Sequence, residues 1–139
     1  VMGNNPDHIV AGNDIFYTGS SITHEICLQF YAVADWMIHL AWADHCPNVV
    51  IEALSQGCPV ICSETGGTKE LVQNDGIVMK EQLVYNFEAF DYENPPALDL
   101  GQLTVLPQRP VVDRSRMDIA QVADEYEKVL LKAANTPTT

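Results

Sequence analysis

An α/β fold built on an open, mostly parallel sheet is the architecture that this sequence predicts, with helices on both faces of the sheet. Two apolar runs of strand length, residues 37–40 and residues 59–62, alternate with segments in which apolar residues recur at helical spacing. Gly57 and the pair Gly66-Gly67 supply turns between them. Strands that alternate with helices in this way are typical of a parallel sheet covered by its connecting helices.

The segment upstream of the first run predicts one more strand and one more helix. Residues 15–18 form an apolar run that ends at Gly19, which indicates a strand. Ser21 or Thr23 can cap the following helix, because a hydroxyl oxygen accepts a hydrogen bond from a free amide of the first turn. The apolar side of this helix consists of Ile26, Cys27, Phe30, Tyr31 and Ala34.

Pro47 marks the start of the helix between the two central strands. Proline suits the first helical position because its missing N–H would have no partner there. Gly57 lies where this helix ends, since glycine adopts the left-handed conformation that often follows a last helical turn. The apolar face between these two residues consists of Val49, Val50, Ala53 and Leu54.

The whole chain is predicted to be one domain with a core and two appended parts. The core spans residues 1–80 and closes with a helix that starts at Lys69 and a strand at residues 76–79. Residues 81–112 mix aromatic, acidic and proline residues, so we expect an irregular surface excursion there. A capping-box pattern opens a C-terminal helix, placed at residues 113–135, and we expect its apolar stripe to pack on the sheet.

Length, charge and cysteine content narrow the classes of function. With 139 residues the chain has the size of one globular domain. Its 19 acidic and 7 basic residues give a net charge of −12, which argues against nucleic acid or an anionic membrane as a partner. The four cysteines lack CxxC spacing, so we expect reduced thiols and a cytoplasmic location. No apolar run is long enough to span a membrane, and peripheral attachment is left open.

Three kinds of catalytic or cofactor site have no motif in the sequence. The four histidines show no paired metal-ligand spacing, so no metal ion is expected. No Gly-x-Ser-x-Gly motif indicates a serine hydrolase, and no Gly-x-Gly-x-x-Gly motif indicates a dinucleotide site. We therefore expect no cofactor.

The predicted binding site lies at the carboxyl ends of the strands, where sheets of this kind bind their ligands. The loops at residues 43–47 and 63–68 both lie at that edge, and each leads into a helix N-terminus that favours an anion. Asp44 and Glu52 flank the first of these helix starts. Because carboxylate oxygens accept hydrogen bonds from sugar hydroxyls, this region could hold a phosphate and hydroxyl-rich groups together.

A motif over the same region resembles a known enzyme family. Its parts are Asp44, then Glu52-Ala53, then Gln56-Gly57-Cys58-Pro59-Val60, then Gly66-Gly67-Thr68-Lys69-Glu70-Leu71-Val72. This pattern resembles the C-terminal, donor-binding half of the retaining GT-B glycosyltransferases, the group 1 family typified by sucrose synthase and bacterial mannosyltransferases. The resemblance implies a Rossmann-like sheet, a nucleoside-diphosphate sugar as the substrate and no metal.

The resemblance also implies roles for individual residues. Asp44 stands where the family usually has glutamate, and it would be the catalytic residue that orients the sugar. Glu52 would hold the ribose within reach of the glycine loop, and the amides of Asn48 and Val49 would stabilise the charge of the departing diphosphate. The donor-binding set implied in this way is Glu52, His45, Asn48, Val49, Gly66 and Gly67.

Plainer explanations exist for the same residues. Asp44 could cap its own loop, which is a common role of aspartate. Glu52 could be an ordinary exposed helix residue. The two glycines, Gly66 and Gly67, could serve the backbone conformation first and the donor second.

Two classes of function are consistent with the sequence. The first is the donor-binding part of a hexosyltransferase-type enzyme of polysaccharide biosynthesis, which moves a sugar to a glycan or another acceptor. The second is a non-catalytic binding or assembly module with a transferase-like fold. The family's basic clamp for the diphosphate and its N-terminal acceptor domain have no counterpart in this sequence. We therefore expect a fragment that is inactive alone and whose partner is the missing acceptor domain.

Overall fold

The core of the structure is a parallel sheet of three short strands. The computed structural model describes residues 22–81 and 94–135. The strands lie in the order β1-β2-β3, with β1 at Met37–His39, β2 at Val60–Ser63 and β3 at Gly76–Met79. Both neighbours of β2 run parallel to it. The prediction of an α/β fold with an open parallel sheet is confirmed.

Three helices precede or connect these strands. They are α1 (His24–Val33) before β1, α2 (Asn48–Ser55) between β1 and β2, and α3 (Thr68–Val72) between β2 and β3. α2 and α3 contact each other, and both join neighbouring parallel strands in the same direction. Since such crossovers are right-handed, these two helices share one face of the sheet. Helices on the other face stay a prediction, and the strand predicted at residues 15–18 lies outside the described residues.

The helix starts and ends follow from particular residues. Thr23 is the N-cap of α1, where its side chain accepts a hydrogen bond from the Ile26 amide at 3.4 Å. Gly57 has a φ of 79°, which a residue with a Cβ adopts only at a cost of about 1 kcal/mol. The Gly57 amide bonds to the Leu54 carbonyl at 2.9 Å, as glycine-terminated helix ends do.

A buried cluster between the sheet and the helices holds the core together. Every residue of β2 is buried, so both faces of this central strand are covered. Each fully buried large apolar side chain contributes about 2 kcal/mol through removal from water. The cluster consists of Tyr31, Val50, Ala53, Leu54, Cys58, Val60, Cys62, Val72 and Val112.

The described residues between β3 and the last helix, 80–81 and 94–118, have little regular structure. Glu81 forms an isolated bridge with Leu98, and a 3-10 turn covers Leu100–Leu103. A second 3-10 turn, Arg114–Met117, precedes the last helix. Val112 is buried, so it anchors this part of the chain in the core.

Three arginines fix this segment to the amino end of the sheet. Arg109 donates to the Gly57 carbonyl at 3.0 Å, and Arg114 donates to the Ser55 carbonyl at 2.7 Å. Arg116 donates to the Leu71 carbonyl at 3.2 Å. Cationic side chains stabilise helix C-termini because the last carbonyls carry partial negative charge.

Asp75 completes this attachment. Its carboxylate pairs with Arg116 and also accepts a hydrogen bond from the Asp113 amide at 3.2 Å. Asp75 is a buried residue that directly precedes β3. The ion pair therefore joins the C-terminal segment to the start of a core strand.

The last helix, α4 (Ile119–Ala134), differs from its prediction in two respects. It begins six residues later than the predicted start at residue 113, because the 3-10 turn comes first and Asp118 caps the helix. It also contains no buried residue, so the prediction that its apolar stripe packs on the sheet is wrong. Its 16 residues span about 24 Å, whereas the longest described strands span about 13 Å.

Two further features concern the environment of the protein. None of the helices in the described part of the chain has the length and the apolar content needed to cross a membrane. All four cysteines are free thiols. Cys58 and Cys62 are buried, whereas Cys46 is exposed in the loop before α2.

Candidate functional site

Two loops meet at the carboxyl edge of the sheet. The loop after β1 contains Asp44, and its backbone carbonyl accepts hydrogen bonds from the Gly67 amide at 2.9 Å and the Thr68 hydroxyl at 3.3 Å. The hydroxyl of Ser63, at the end of β2, donates to the Ala41 carbonyl at 3.1 Å. These bonds hold the two loops together, so the predicted site residues Asp44 and Gly67 lie in direct contact.

The glycine pair is required by the close approach of these loops. Gly66 has a φ of 103°, and a Cβ there would lie closer than 3.0 Å to the Asp44 carbonyl. At Gly67 the φ is −85°, which suits any residue, but a Cβ would lie closer than 3.0 Å to the His45 carbonyl. Both glycines therefore have a backbone reason to be present, and the loops carrying Asp44 and His45 depend on them.

An unusual backbone conformation lies just before Asp44. Ala43 has a φ of 57°, in the left-handed region that residues other than glycine, asparagine and aspartate seldom occupy. Its side chain is buried, with 5% exposed. Such conformations persist where the surroundings hold them, and they cluster at functional sites. The Ala43 conformation thus supports a fixed placement of Asp44.

The N-terminus of α2 has free amide groups. Pro47 is its N-cap and provides no side-chain hydrogen bond, while its carbonyl accepts from Val50 at 3.0 Å. In the described part of the chain, the amides of Asn48 and Val49 have no acceptor. Unpaired amides at a helix start, together with the helix dipole, make a site for an anion.

The two predicted carboxylates each contact a histidine. The Asp44 carboxylate lies 3.1 Å from Nε2 of His39, the last residue of β1. Glu52 lies on the second turn of α2, and its Oε1 is 3.7 Å from Nδ1 of His24 at the start of α1. Burial and then the Glu52 carboxylate raise the pKa of Tyr31, so the carboxylate faces α1.

This arrangement separates the predicted site residues into two groups. Asp44, His45, Gly66 and Gly67 belong to the joined loops, and the free amides of α2 follow directly along the chain. The described polar contact of Glu52 is with α1 rather than with the glycine loop. The reach of Glu52 to a ligand beside that loop stays a prediction.

Two histidine partners and one cross-strand bond were missed from the sequence. His39 ends an otherwise apolar strand run, five residues before Asp44, and that position is the signal that could have revealed it. His24 carries no such signal. Thr65, in the loop after β2, donates a hydrogen bond to the Glu81 carboxylate after β3, so the loops of all three strands are linked.

The positive charges are distributed unevenly between the two edges. All three arginines bind carbonyls at the amino edge. Lys69, on the first turn of α3, and Lys80, after β3, lie at the carboxyl edge, and both are exposed. Among residues 22–81 and 94–135, no group of three His, Cys, Asp or Glu side chains is placed to hold a metal ion.

Comparison with protein families places this geometry in a known group. The family model described as glycosyl transferases group 1 matches residues 1–90 of the 139. The chain belongs to this family. The match includes every residue of the candidate site. No curated protein and no solved structure matches the chain.

Membership of the group 1 glycosyltransferases supports glycosyl transfer as the general class of activity. It also implies a nucleotide-sugar donor and an acceptor. The parallel α/β sheet agrees with the GT-B architecture expected for such a protein.

Proposed function

We propose that this chain is the C-terminal, donor-binding part of a retaining GT-B glycosyltransferase. In this role it binds a nucleoside-diphosphate sugar and presents the sugar for transfer to a glycan or another acceptor. The proposal deepens the family assignment by naming the half of the enzyme, the stereochemical class and the residues that hold the donor.

The observation that carries the proposal is the uncapped start of α2 beside Asp44. Pro47 contributes no capping side chain, so the amides of Asn48 and Val49 are available to a ligand. A diphosphate at this helix start would receive two amide hydrogen bonds and the favourable end of the helix dipole. The same donors stabilise the charge that develops on the diphosphate as its bond to the sugar breaks.

The carboxylates supply the recognition of hydroxyl groups. Asp44 lies in the loop that leads into α2, so its carboxylate orients the sugar beside the diphosphate. Glu52 follows on the second turn of the same helix and holds the ribose. The loop carrying His45 packs against Gly66 and Gly67, which gives the sugar a rigid boundary.

One observation favours a second function, that of a non-catalytic module with the same fold. The three arginines are used at the amino edge of the sheet, and the chain has a net charge of −12. A diphosphate at the carboxyl edge therefore depends on amides and on Lys69 or Lys80 for compensation. Binding of nucleotides separates the two functions, because an assembly module has no need of it.

Calorimetric titration of the protein with UDP, GDP and ADP tests the proposal. We expect one of these nucleotides to bind, and Glu52→Gln to weaken it by tens of fold. A charge-assisted hydrogen bond to the ribose is worth about 2 kcal/mol, and each tenfold change in affinity corresponds to about 1.4 kcal/mol. The helix survives the change, since glutamine and glutamate have similar helix propensities.

Glu25→Gln is the matched control, because Glu25 is an exposed residue in the first turn of α1. It removes the same charge near the same edge without touching the ribose site. Equal affinities for the Glu52 and Glu25 variants would reject the ribose role. Failure of the unaltered protein to bind any of the three nucleotides would favour the non-catalytic module.

A further inference from the structure

The two histidine–carboxylate contacts at the carboxyl edge differ in quality. Nε2 of His39 and Oδ2 of Asp44 are 3.1 Å apart, which is a hydrogen bond, and the His39 side chain is only 15% exposed. His24 and Glu52 are 3.7 Å apart, and the His24 side chain is 64% exposed. At 3.7 Å the second contact is too long for a hydrogen bond. The His39 pair is therefore the one built into the fold.

Both members of the His39 pair stand on fixed backbone. His39 is the last residue of β1, and its Cα lies beside that of Cys62 in the central strand. Asp44 is held through its own carbonyl, which accepts from Gly67 and Thr68. The residue before it, Ala43, is buried in a left-handed conformation. Neither backbone can shift to loosen the bond without disturbing the sheet or the joined loops.

The chemistry of the pair defines which atom donates. A carboxylate only accepts hydrogen bonds, so Nε2 of His39 carries the proton that lies between the two side chains. Oδ2 of Asp44 is thereby occupied. Among the described residues, Oδ1 has no partner and remains available to a ligand hydroxyl. The histidine thus reduces a freely rotating carboxylate to one orientation with one free oxygen.

We propose that His39 is a positioning residue that fixes Asp44 for recognition of the donor's sugar. This inference rests on the proposed function, in which Asp44 faces the sugar. It also accounts for aspartate at position 44, because this short side chain bonds to the histidine that ends the preceding strand. A positioned acceptor binds its ligand without first losing rotational freedom.

The proposal separates affinity for the sugar from affinity for the nucleotide. His39 acts through Asp44, which contacts the sugar, whereas the bare nucleotide binds through α2 and Glu52. Loss of the histidine donor should therefore weaken a nucleotide sugar and leave its nucleoside diphosphate alone. A general loss of folding would weaken both ligands together.

The test uses His39→Leu, which removes the donor, and His39→Gln, whose amide nitrogen can take the place of Nε2. Calorimetry measures UDP with UDP-glucose, GDP with GDP-mannose, and ADP with ADP-glucose on each variant. For the pair that the unaltered protein binds, we expect His39→Leu to weaken the nucleotide sugar about tenfold and the nucleotide less than twofold. His39→Gln should restore most of the lost affinity. His24→Leu is the matched control and should leave the ratio of the two affinities unchanged.

Each other result overturns the inference. An unchanged ratio in His39→Leu shows that Asp44 needs no histidine, and equal loss of both ligands shows a structural role. A His39→Gln variant no better than His39→Leu shows that the donated hydrogen bond is not the cause. If circular dichroism shows that His39→Leu is unfolded, His39→Asn replaces it, because the shorter amide cannot reach Asp44. Absence of all binding by the unaltered protein rejects the proposed function itself, and that result is visible without any variant.

Discussion

The two edges of the sheet differ in the charged side chains that lie there. At the amino edge, Arg109, Arg114 and Arg116 bind carbonyls at the C-terminal ends of α2 and α3. At the carboxyl edge, Asp44 and Glu52 stand beside histidines. The arginines thus hold the fold together at one edge, and the candidate hydroxyl-binding groups lie at the other.

The starts of the two connecting helices also differ from those of the C-terminal segment. Neither α2 nor α3, which begin at the carboxyl edge, has a capping side chain. Both 3-10 turns and α4 are capped by aspartates, namely Asp99, Asp113 and Asp118. A cap stabilises a helix by about 1 kcal/mol, so α2 forgoes stability that the C-terminal segment retains. The amides left free in α2 are the ones that the proposed donor would use. Changes at the amino edge should therefore affect stability, and changes at the carboxyl edge should affect binding.

The largest effect is expected where the carboxyl edge is also structural, at Gly67. Gly67→Ala would drive a Cβ against the His45 carbonyl, and backbone atoms on both sides would have to separate. We expect a loss of about 4 kcal/mol in the free energy of unfolding, in the range of severe backbone strain. Urea denaturation with an unchanged slope measures it.

Gly101→Ala is the control for this substitution. Its nearest atom is the side-chain oxygen Oδ1 of Asp99 at 2.8 Å, and an exposed side chain can move away. Apart from the difference in helix propensity between glycine and alanine, the cost should stay at about 1 kcal/mol or less. Equal costs at both positions would show that the two loops of the site do not depend on their close approach.

A somewhat smaller effect is expected at the amino edge, where stability alone should change. Arg116→Leu leaves the buried Asp75 carboxylate without its cation and removes a bond to the Leu71 carbonyl. Removal of one partner from a buried ion pair lowers the free energy of unfolding by about 3 kcal/mol or more. We expect a loss of about 3 kcal/mol, because the Arg116 guanidinium is partly exposed. Nucleotide affinity of the folded protein should stay within twofold.

Arg109→Leu provides the comparison within the same edge. Arg109 is exposed, and its described hydrogen bond is to the Gly57 carbonyl. We expect a loss of about 1 kcal/mol or less. A drop in nucleotide affinity for either arginine variant, measured by calorimetry, would contradict the separation of the two edges.

The pKa values of two buried thiols give a third comparison. Cys58 lies just before β2, and Cys62 lies within it. Burial is the main cause that raises the pKa of both Cys58 and Cys62. At the amino edge the charge of Arg109 opposes this for Cys58, whereas Glu81 raises the pKa of Cys62 further, to about 11. The strongest neighbouring charge therefore lowers the pKa of Cys58 and raises the pKa of Cys62.

The consequence for stability follows from the proton that each state binds. The Cys62 thiol ionises at its ordinary value of 9.0 when unfolded and at about 11 when folded. Stability from this thiol is complete below pH 9 and is lost as the pH rises toward 11, by about 2 to 3 kcal/mol. Cys62→Ala should therefore lose less stability than the unaltered protein between pH 8 and pH 10.5 in urea denaturation. Cys46→Ala, at an exposed thiol, should follow the unaltered protein. Identical alkaline losses for all three proteins would refute the role of burial.

The structure also shows which parts of the molecule the sequence was able to predict. β3 was predicted at its observed bounds, and α2 ends where Gly57 adopts its left-handed conformation. These features could be predicted because they depend on the local sequence rather than on the rest of the fold. The loops at residues 43–47 and 63–68 were predicted to lie at the same edge of the sheet. Their direct contact could not be predicted, because it depends on how the strands pair.

Two features could not be predicted, because they depend on tertiary contacts. The apolar stripe of α4 specifies an amphipathic helix but does not specify what it packs against, and the stripe is exposed. The bond between His39 and Asp44 spans Ala43, whose left-handed conformation no local pattern predicts for alanine. The strand that ends in histidine was recognised by its apolar residues alone.

The smallest effect on stability, and the sharpest test of the division between edges, is expected at Pro47. A serine at this N-cap can accept a hydrogen bond from the Val49 amide, whereas an alanine cannot. Pro47→Ser and Pro47→Ala both lose the proline, so its effect on the unfolded chain cancels between them. We expect the serine variant to be more stable than the alanine variant by about 1 kcal/mol in urea denaturation.

The order should reverse for ligand binding. In Pro47→Ser the hydroxyl occupies the Val49 amide that a diphosphate would otherwise take, so the nucleotide that the protein binds should bind less tightly than to Pro47→Ala. Loss of one hydrogen bond to a charged group, at about 1.5 kcal/mol, corresponds to a difference of about tenfold. If the serine variant is the more stable of the two and still binds as tightly, the amides of α2 are not the anion site. The free helix start would then be a plain consequence of Pro47, and Lys69 or Lys80 would have to meet the charge of the diphosphate instead.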